Sequence, residues 1–370
     1  MKFDAKLESN VLDWLRFPMI ILVVYIHWWG VNTQEVSLGT TIYNALRIFM
    51  CHVISRAAVP TFFLISGYYY FLNTNFSLTT YKSKLKKRIQ TILIPYLLWN
   101  LIVIGKVVIL HIGAWLVKGK PLSNLYSYFD ENGWLDLFWS SKEWFGRTNW
   151  LGNSIVSTSP ELVPMWYLRD LMVFFILTPI LYFCIRKFSL VFLVLLFGCY
   201  VSGIWIQIPG FSLNIIYFAI GAYLALNNNS IVSELYTYRW FFYIAVLIML
   251  PFMIYYDGTY TSFIGNVIYP FFVFALTPCY INIATFLMLK GKVKPKPILS
   301  KASFFVYALH TLILGYCASI VTYVMYSDYW ILASIRYMLI PIFCVIICLY
   351  IYTLMSKFTP RILSLLMGGR

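Results

Sequence analysis

The constraint that narrows this chain most is a series of long apolar runs. Runs near 11–30, 54–73, 91–117, 165–184, 188–206, 212–227, 238–256, 262–289, 302–325 and 332–356 are nearly free of charge. A bilayer core of about 30 Å is crossed by roughly 17–25 apolar residues in a helix. Within hydrocarbon the backbone must satisfy its own hydrogen bonds, and a helix does so within one segment. The ten runs therefore predict an all-α, polytopic integral membrane bundle of about ten transmembrane helices, organised as one domain over 1–370. The opening "MKFDAKLESN" has no small-residue cleavage site after its apolar run, so the first span is expected to be retained.

The net charge of +15 taken alone suggests nucleic acid, but its distribution favours membrane topology, and no nucleic-acid partner is expected. "YKSKLKKR" (81–88) and "KGKVKPKPILSK" (290–301) hold five basic residues each, whereas "IQIPG" and "YYDGTY" hold none. By the excess of Lys and Arg on the inner side, both termini are expected in the cytoplasm and the cytoplasmic membrane is the expected location. The one long connection, about 118–164, is then on the outer side. Its tryptophans 134, 139, 144 and 150 suit either interfacial anchoring or a stacking platform for a sugar. The seven scattered cysteines show no paired or metal-type spacing and are read as apolar packing residues, and no metal is expected.

Ionisable groups inside spans cost roughly 2.5–3.5 kcal/mol at the helix centre on insertion scales and mark function by default. The first run, "LDWLRFPMIILVVYIHWWG", carries Arg16 and His27. Eleven residues at about 100° return to within about 20° of the starting direction with a rise of roughly 16 Å, so both look out of one face at two depths. Asp13, three residues before Arg16, is placed to pair with it. In "RAAVPTFFLISGYYYF", Pro60 is expected to kink the second span, and Ser66 and Gly67 to permit close helix approach. "VPMWYLRDLMVFF" places Trp166, Arg169 and Asp170 near the outer surface. There the adjacent Arg and Asp point apart and are expected to pair with other helices. His310, in "SKASFFVYALHTLIL", fits packing or function equally.

Taken in order, "LDWLRF…H", "VPTFFLISGYYY", "RIQTILIPYLLWN", "PMWYLRDLM", "IYFAIGAYLA" and "LSKASFFVYALH" resemble acyltransferase family 3, the membrane-bound O-acyltransferases of bacterial surface glycans. The likeness runs from about residue 9 to 315, and its most specific element is a basic residue, ten residues, then histidine. It implies a ten-helix bundle that moves an acyl group, most often acetyl, from cytoplasmic acyl-coenzyme A to a hydroxyl of a glycan or lipid-linked sugar. His27 matches the family's essential histidine and Arg16 its partner. The family's Arg-x-x-Arg before Pro-Tyr is replaced here by Arg88, then Thr91, then Pro95-Tyr96.

Arg16 and Arg88, with Lys84, Lys86 and Lys87 as point charges, are therefore the expected contacts to the coenzyme phosphates. Plain topology or anionic membrane lipids account for the lysine-rich loops equally well. His27 is expected either as general base or as an acyl-histidine nucleophile. The oxyanion would take hydrogen bonds from Arg169, Ser66 or a span tyrosine. A transporter or flippase for a polysaccharide is the competing class, since intramembrane Arg and His also line translocation paths. A scaffold for a synthesis complex is a third.

Overall fold

The computed structural model describes residues 3–30, 37–148, 152, 154–204, 208–256, 263–326 and 329–369. Helices α1 (Ala5–Ile26), α2 (Leu38–Arg47), α3 (Ala58–Phe71), α4 (Leu78–Arg88), α5 (Ile94–Lys118) and α6 (Ser123–Asn132) form the first part of the chain. A two-stranded antiparallel hairpin, β1 (Lys142–Thr148) and β2 (Ser154–Ser159), interrupts the helical pattern. Then follow α7 (Trp166–Ile176), α8 (Thr178–Ser202), α9 (Ile215–Leu226), α10 (Ile231–Thr237) and α11 (Arg239–Tyr255). The chain ends with α12 (Phe263–Leu289), α13 (Pro297–Val324), α14 (Trp330–Phe358) and α15 (Pro360–Leu366).

Local chemistry sets the helix ends. Asp4, Ser37, Ser77 and Ser230 occupy N-caps and accept from backbone N–H groups that the first turn leaves without partners. Prolines open α5, α8, α13 and α15, where a missing N–H costs nothing. Gly119 ends α5 at φ 62° and Gly203 ends α8 at φ 66°, the left-handed conformation that glycine adopts without strain.

By length and apolar composition, seven described segments qualify as membrane-crossing, or eight if α9 and α10, bent by 106°, count as one span. These criteria alone do not establish the expected ten. The differences have local causes. The second qualifying segment runs Leu38–Phe71 and so begins well before residue 54. It contains a π-helical turn, Ile48–Val53, and a 3-10 turn, Ile54–Ala57. Pro60 lies in the first turn of α3, so the irregularity precedes the proline rather than arising from it. The expected break between the fourth and fifth spans falls inside α8, where Ser189 (φ 49°, ψ −125°) interrupts the helix just after Arg186 and Lys187. α7 has 11 residues and is separated from α8 only at Leu177.

That segment, 136–165, is not simply a connection lying outside the bundle. Leu137, Leu162 and Met165 are core residues. Tyr96, in the first turn of α5, donates to Phe138 O, and Leu162 N donates to Asn100 Oδ1 at 3.1 Å. Tyr307, about 15 Å along α13 from its start, donates to Pro164 O. The chain thus folds back between α5, α7 and α13.

α1 runs through the centre and packs against α3, α12, α13 and α14. The tightest crossing joins α3 to α9. A Cβ on Gly67 would lie 2.0 Å from Phe218 O, and one on Gly221 would lie 2.1 Å from Leu64 O, so each backbone rests where the other helix's side chain would be. Both chain ends lie at the lysine-rich end of the bundle. Phe3 N donates to Ser233 Oγ at 2.9 Å, and buried Glu8 accepts from Tyr68 and Ser230. Trp99 Nε1 donates to Leu366 O at 3.1 Å, and Gly368 sits against Thr91. Large apolar side chains on α8, α11 and α14 stay exposed, as a lipid-facing surface requires.

Gly221→Ala forces α3 and α9 apart and should destabilise the fold by about 1–3 kcal/mol, as overpacking does. Thermal unfolding in detergent should show a lower midpoint for Gly221→Ala and an equal or higher one for Gly113→Ala, which lies within α5 with open space beside it.

Candidate active site

α1 stops at Ile26 and His27 is its C-cap residue, its N–H bonded to Val24 O at 3.2 Å. The imidazole therefore stands at the mouth of the helix rather than within it. Its ring centroid is 5.2 Å from that of His310 on α13. His310 is fully buried, and its Nδ1 lies 3.1 Å from Val306 O and 2.8 Å from Tyr307 O. Carbonyl oxygens only accept, so Nδ1 carries the proton and Nε2 a lone pair. That Nε2 is buried with no hydrogen-bond partner among the described residues.

Aromatic side chains continue the line away from His310. Tyr307 is 6.5 Å from His310 and Tyr167 is 6.1 Å from Tyr307, between ring centroids. Ser66 Oγ lies 3.2 Å from the Tyr167 hydroxyl, and Phe63 packs on both Tyr167 and Trp166. Arg88 is close enough to act electrostatically on Tyr70 and Tyr167, with its guanidinium 4.6 Å from the Phe175 ring centre. Lys84, one turn before Arg88, donates to Tyr70 O and to Thr74 Oγ1. An i, i+4 pair shares a helix face, so Lys84 and Arg88 turn inward together while Lys86 and Lys87 are exposed. Of the expected cationic set on α4, two of four side chains enter the bundle.

Arg16 does not join His27. It pairs with Asp13 at 3.3 Å, as the spacing suggested, with side chains 39% and 40% exposed, and its guanidinium is 5.9 Å from the Tyr69 ring centre. Tyr69 and Ser66 are three apart on α3 and share a face. Arg16 thus borders the same side of α3 as Tyr167's partner, about half the length of α1 away from His27.

Arg169 and Asp170 are buried among neighbouring elements, 3% and 0% exposed. They also pair with each other, contrary to the expectation for adjacent helix residues. The guanidinium folds back so that Nε and Nη2 both donate to Asp170 Oδ1, at 3.0 and 2.9 Å. The remaining donors reach Trp139 O, Thr158 Oγ1 and Thr158 O. A guanidinium has five N–H groups. All five are used, so Arg169 has none left for an oxyanion, and it holds segment 136–165 to α7. Trp139 belongs to this joint, and Trp134 stacks on Phe129 at 4.2 Å. Trp150 lies outside the described residues, and of Trp144 only the backbone is described.

Several polar residues emerge that the sequence reading did not single out. Tyr167 and Tyr307 link α7 to α13, and Glu8 anchors the N-terminus. His52 and Arg56 sit beside His27. Arg56 Nη2 is 2.9 Å from His52 Nδ1, and Arg56 is near enough to act on the His27 ring. Their i, i+4 spacing in "CHVISRA" was a legible signal within a stretch read as the edge of a span. All seven cysteines are free. Among the described residues no cluster of three His, Cys, Asp or Glu is arranged to hold a metal.

Long apolar helices with a pair of histidines and a line of hydroxyl and aromatic side chains suit group transfer within a membrane. The chain belongs to acyltransferase family 3: the family's acyltransferase-domain model matches residues 10–366, essentially its whole length. It is a multi-pass membrane acyltransferase. No curated protein and no solved structure shows a significant match to it.

Asp170→Asn leaves a buried guanidinium without its counter-charge, a change that costs about 3–5 kcal/mol at comparable buried pairs. The variant should express with much reduced thermal stability, whereas Asp13→Asn, at a half-exposed pair worth about 0–1 kcal/mol, should melt like the parent.

Proposed function

We propose that the protein transfers an acyl group, acetyl in the simplest case, from acyl-coenzyme A to a hydroxyl of a glycan or lipid-linked saccharide. In this reading it lies in the cytoplasmic membrane with both termini and the lysine-rich end in the cytoplasm. The observation that carries it is the line of side chains from Arg88 through Tyr167, Tyr307 and His310 to His27. Arg88 and Lys84 meet the coenzyme phosphates at one end of this line, Arg88 as a planar fork. The thioester then reaches along the tyrosines toward the histidine pair.

At that pair the acceptor oxygen attacks the thioester carbonyl as His27 takes its proton. Collapse of the tetrahedral intermediate expels the coenzyme thiolate, which takes the proton back from His27 and leaves as thiol. His310 does not need to touch the substrate. Its Nε2 lone pair faces no described donor and is placed to stabilise His27 when the ring becomes charged. The backbone bonds of Nδ1 hold the tautomer this requires. With Arg169 fully engaged, the oxyanion role passes to the hydroxyl pair of Ser66 and Tyr167. Arg16, fixed to Asp13 lower on α1, is a contact for the donor's polar end and not a partner of the reacting centre.

Proteoliposomes with radiolabelled acetyl-coenzyme A and candidate glycans test the assignment. His27→Ala should abolish transfer while melting like the parent, and transfer by that variant would overturn the role of base. His310→Asn should lower kcat by about 10²-fold, within the range of general-base effects, with the KM for donor unchanged. Arg88→Gln should raise the KM for coenzyme A about tenfold or more, as loss of a hydrogen bond to a charged group implies. Lys86→Gln and Lys87→Gln should leave that constant within twofold.

A further inference from the structure

We propose that Arg47, His52 and Arg56 form a recognition site for an anionic group, a carboxylate or a phosphate, carried by the acceptor saccharide. The proposal rests on the acyltransferase reading and names the chemical class of its acceptor.

The three side chains converge on the residues that follow His27. Arg47 Nη1 donates to Trp29 O at 3.2 Å, and its Cδ would lie 3.2 Å from a Cβ on Gly30. The Trp29 ring meets the His52 ring edge-on at 5.9 Å between centroids. Arg56 and Arg47 both lie near enough to act on the His52 ring. A guanidinium only donates, so in the Arg56–His52 contact Nδ1 accepts and the proton of the neutral imidazole is on Nε2. The cluster therefore presents N–H donors from three side chains. Arg47 takes part in none of the ion pairs among the described residues, and its Nε is buried without a hydrogen-bond partner.

The backbone is bent to make this arrangement. The π-helical turn Ile48–Val53 and the 3-10 turn Ile54–Ala57 break the regular ladder between α2 and α3, and such bulges recur at functional sites. Carbonyls at the bend are satisfied from outside the ladder. Ser55 Oγ donates to Met50 O at 2.6 Å, and Tyr280 on α12 donates to Ile54 O. Cys51 Sγ ties the bend to α1 by donating to Ile26 O at 3.5 Å. These bonds hold His52 and Arg56 beside the reacting histidine. Arg47 is half-buried with its Nε unbonded among the described residues, and a bidentate anion would supply both a counter-charge and an acceptor for that fork.

Position decides between the two substrates. The donor's proposed line reaches His27 from Arg88 by way of Tyr167 and His310, whereas Arg47 and His52 meet α1 through Trp29 and Gly30, beyond His27 in the chain. An anion held there belongs to the molecule approaching from the opposite end, which is the acceptor.

The test is calorimetric binding to the full protein in phosphatidylcholine nanodiscs. Three ligands are titrated: an oligosaccharide bearing a uronate, the same oligosaccharide with that carboxyl reduced to a neutral alcohol, and a phosphorylated counterpart. One or both charged forms should bind at least tenfold more tightly than the neutral form. The preference should shrink as salt is raised and fall below threefold in Arg47→Gln and in Arg56→Gln. Arg47→Lys and Arg56→Lys, which retain charge without the planar fork, should keep part of it and verify that the site still folds. Equal binding of charged and neutral forms, no binding of any form, or a preference that survives in both Gln variants overturns the proposal. Loss of the preference in discs containing phosphatidylglycerol would assign the site to a lipid headgroup and also overturn it. Coenzyme A titrated into the same wild-type discs reads the donor separately, so failure to bind coenzyme A would sink the acyltransferase mechanism while leaving the saccharide preference to stand or fall by itself.

Discussion

A guanidinium with every N–H occupied is what allows irregular chain to lie among membrane helices here. Arg169 spends two donors on Asp170 and three on segment 136–165, at Trp139 and at Thr158 of β2, and so ties this non-α stretch to the packed interior. Non-helical backbone at membrane depth is tolerated only where protein or a cavity satisfies its polar groups. Asn100 and Tyr96 on α5 and Tyr307 on α13 complete that requirement at Leu162 N, Phe138 O and Pro164 O. The segment leads directly into α7, whose first turn places Tyr167 between Ser66 and Tyr307. The position of the hydroxyl line follows from the joint beneath it.

The histidine pair illustrates a second economy. His310 is held by main-chain carbonyls of its own helix, which needs no other residue to fix its tautomer. The aspartate that often orients a catalytic histidine would bring a second charge into a region where desolvation is costly. A neutral imidazole acting on another neutral imidazole avoids that cost and still offers a lone pair when a proton arrives. Arg56, beside His52, brings a formal charge near enough to act on the His27 ring.

The sequence carries much of this and hides the rest for identifiable reasons. Apolar runs reveal helices because period and length are local properties, and Gly67 announced a close approach that Phe218 O fulfils. Asp13 and Arg16 pair because three residues along a helix set their distance. The π turn at Ile48–Val53 was not legible, since one extra residue in a helical turn leaves the apolar pattern intact. The Arg169–Asp170 pair was misjudged because side-chain direction on a helix ignores how far a guanidinium folds back when loop carbonyls receive its other donors. His27 and His310 were both named, yet their meeting is a tertiary fact: nothing in either run of residues states that α1 and α13 are neighbours. The depth of segment 136–165 was hidden for the same reason.

The contact between Trp99 and Leu366 joins residues 267 positions apart, and the histidine pair joins the first helix to the thirteenth. During synthesis the early helices enter the membrane long before their partners exist. His27 therefore waits beside an incomplete bundle until α13 has been translated and inserted, and α5 meets α15 only once that later helix has been made. A truncated product retains the first helix and its histidine but has no ring at 5.2 Å to support it. Biogenesis itself thus acts as a gate: the histidine pair comes into being only in chains whose synthesis has passed α13.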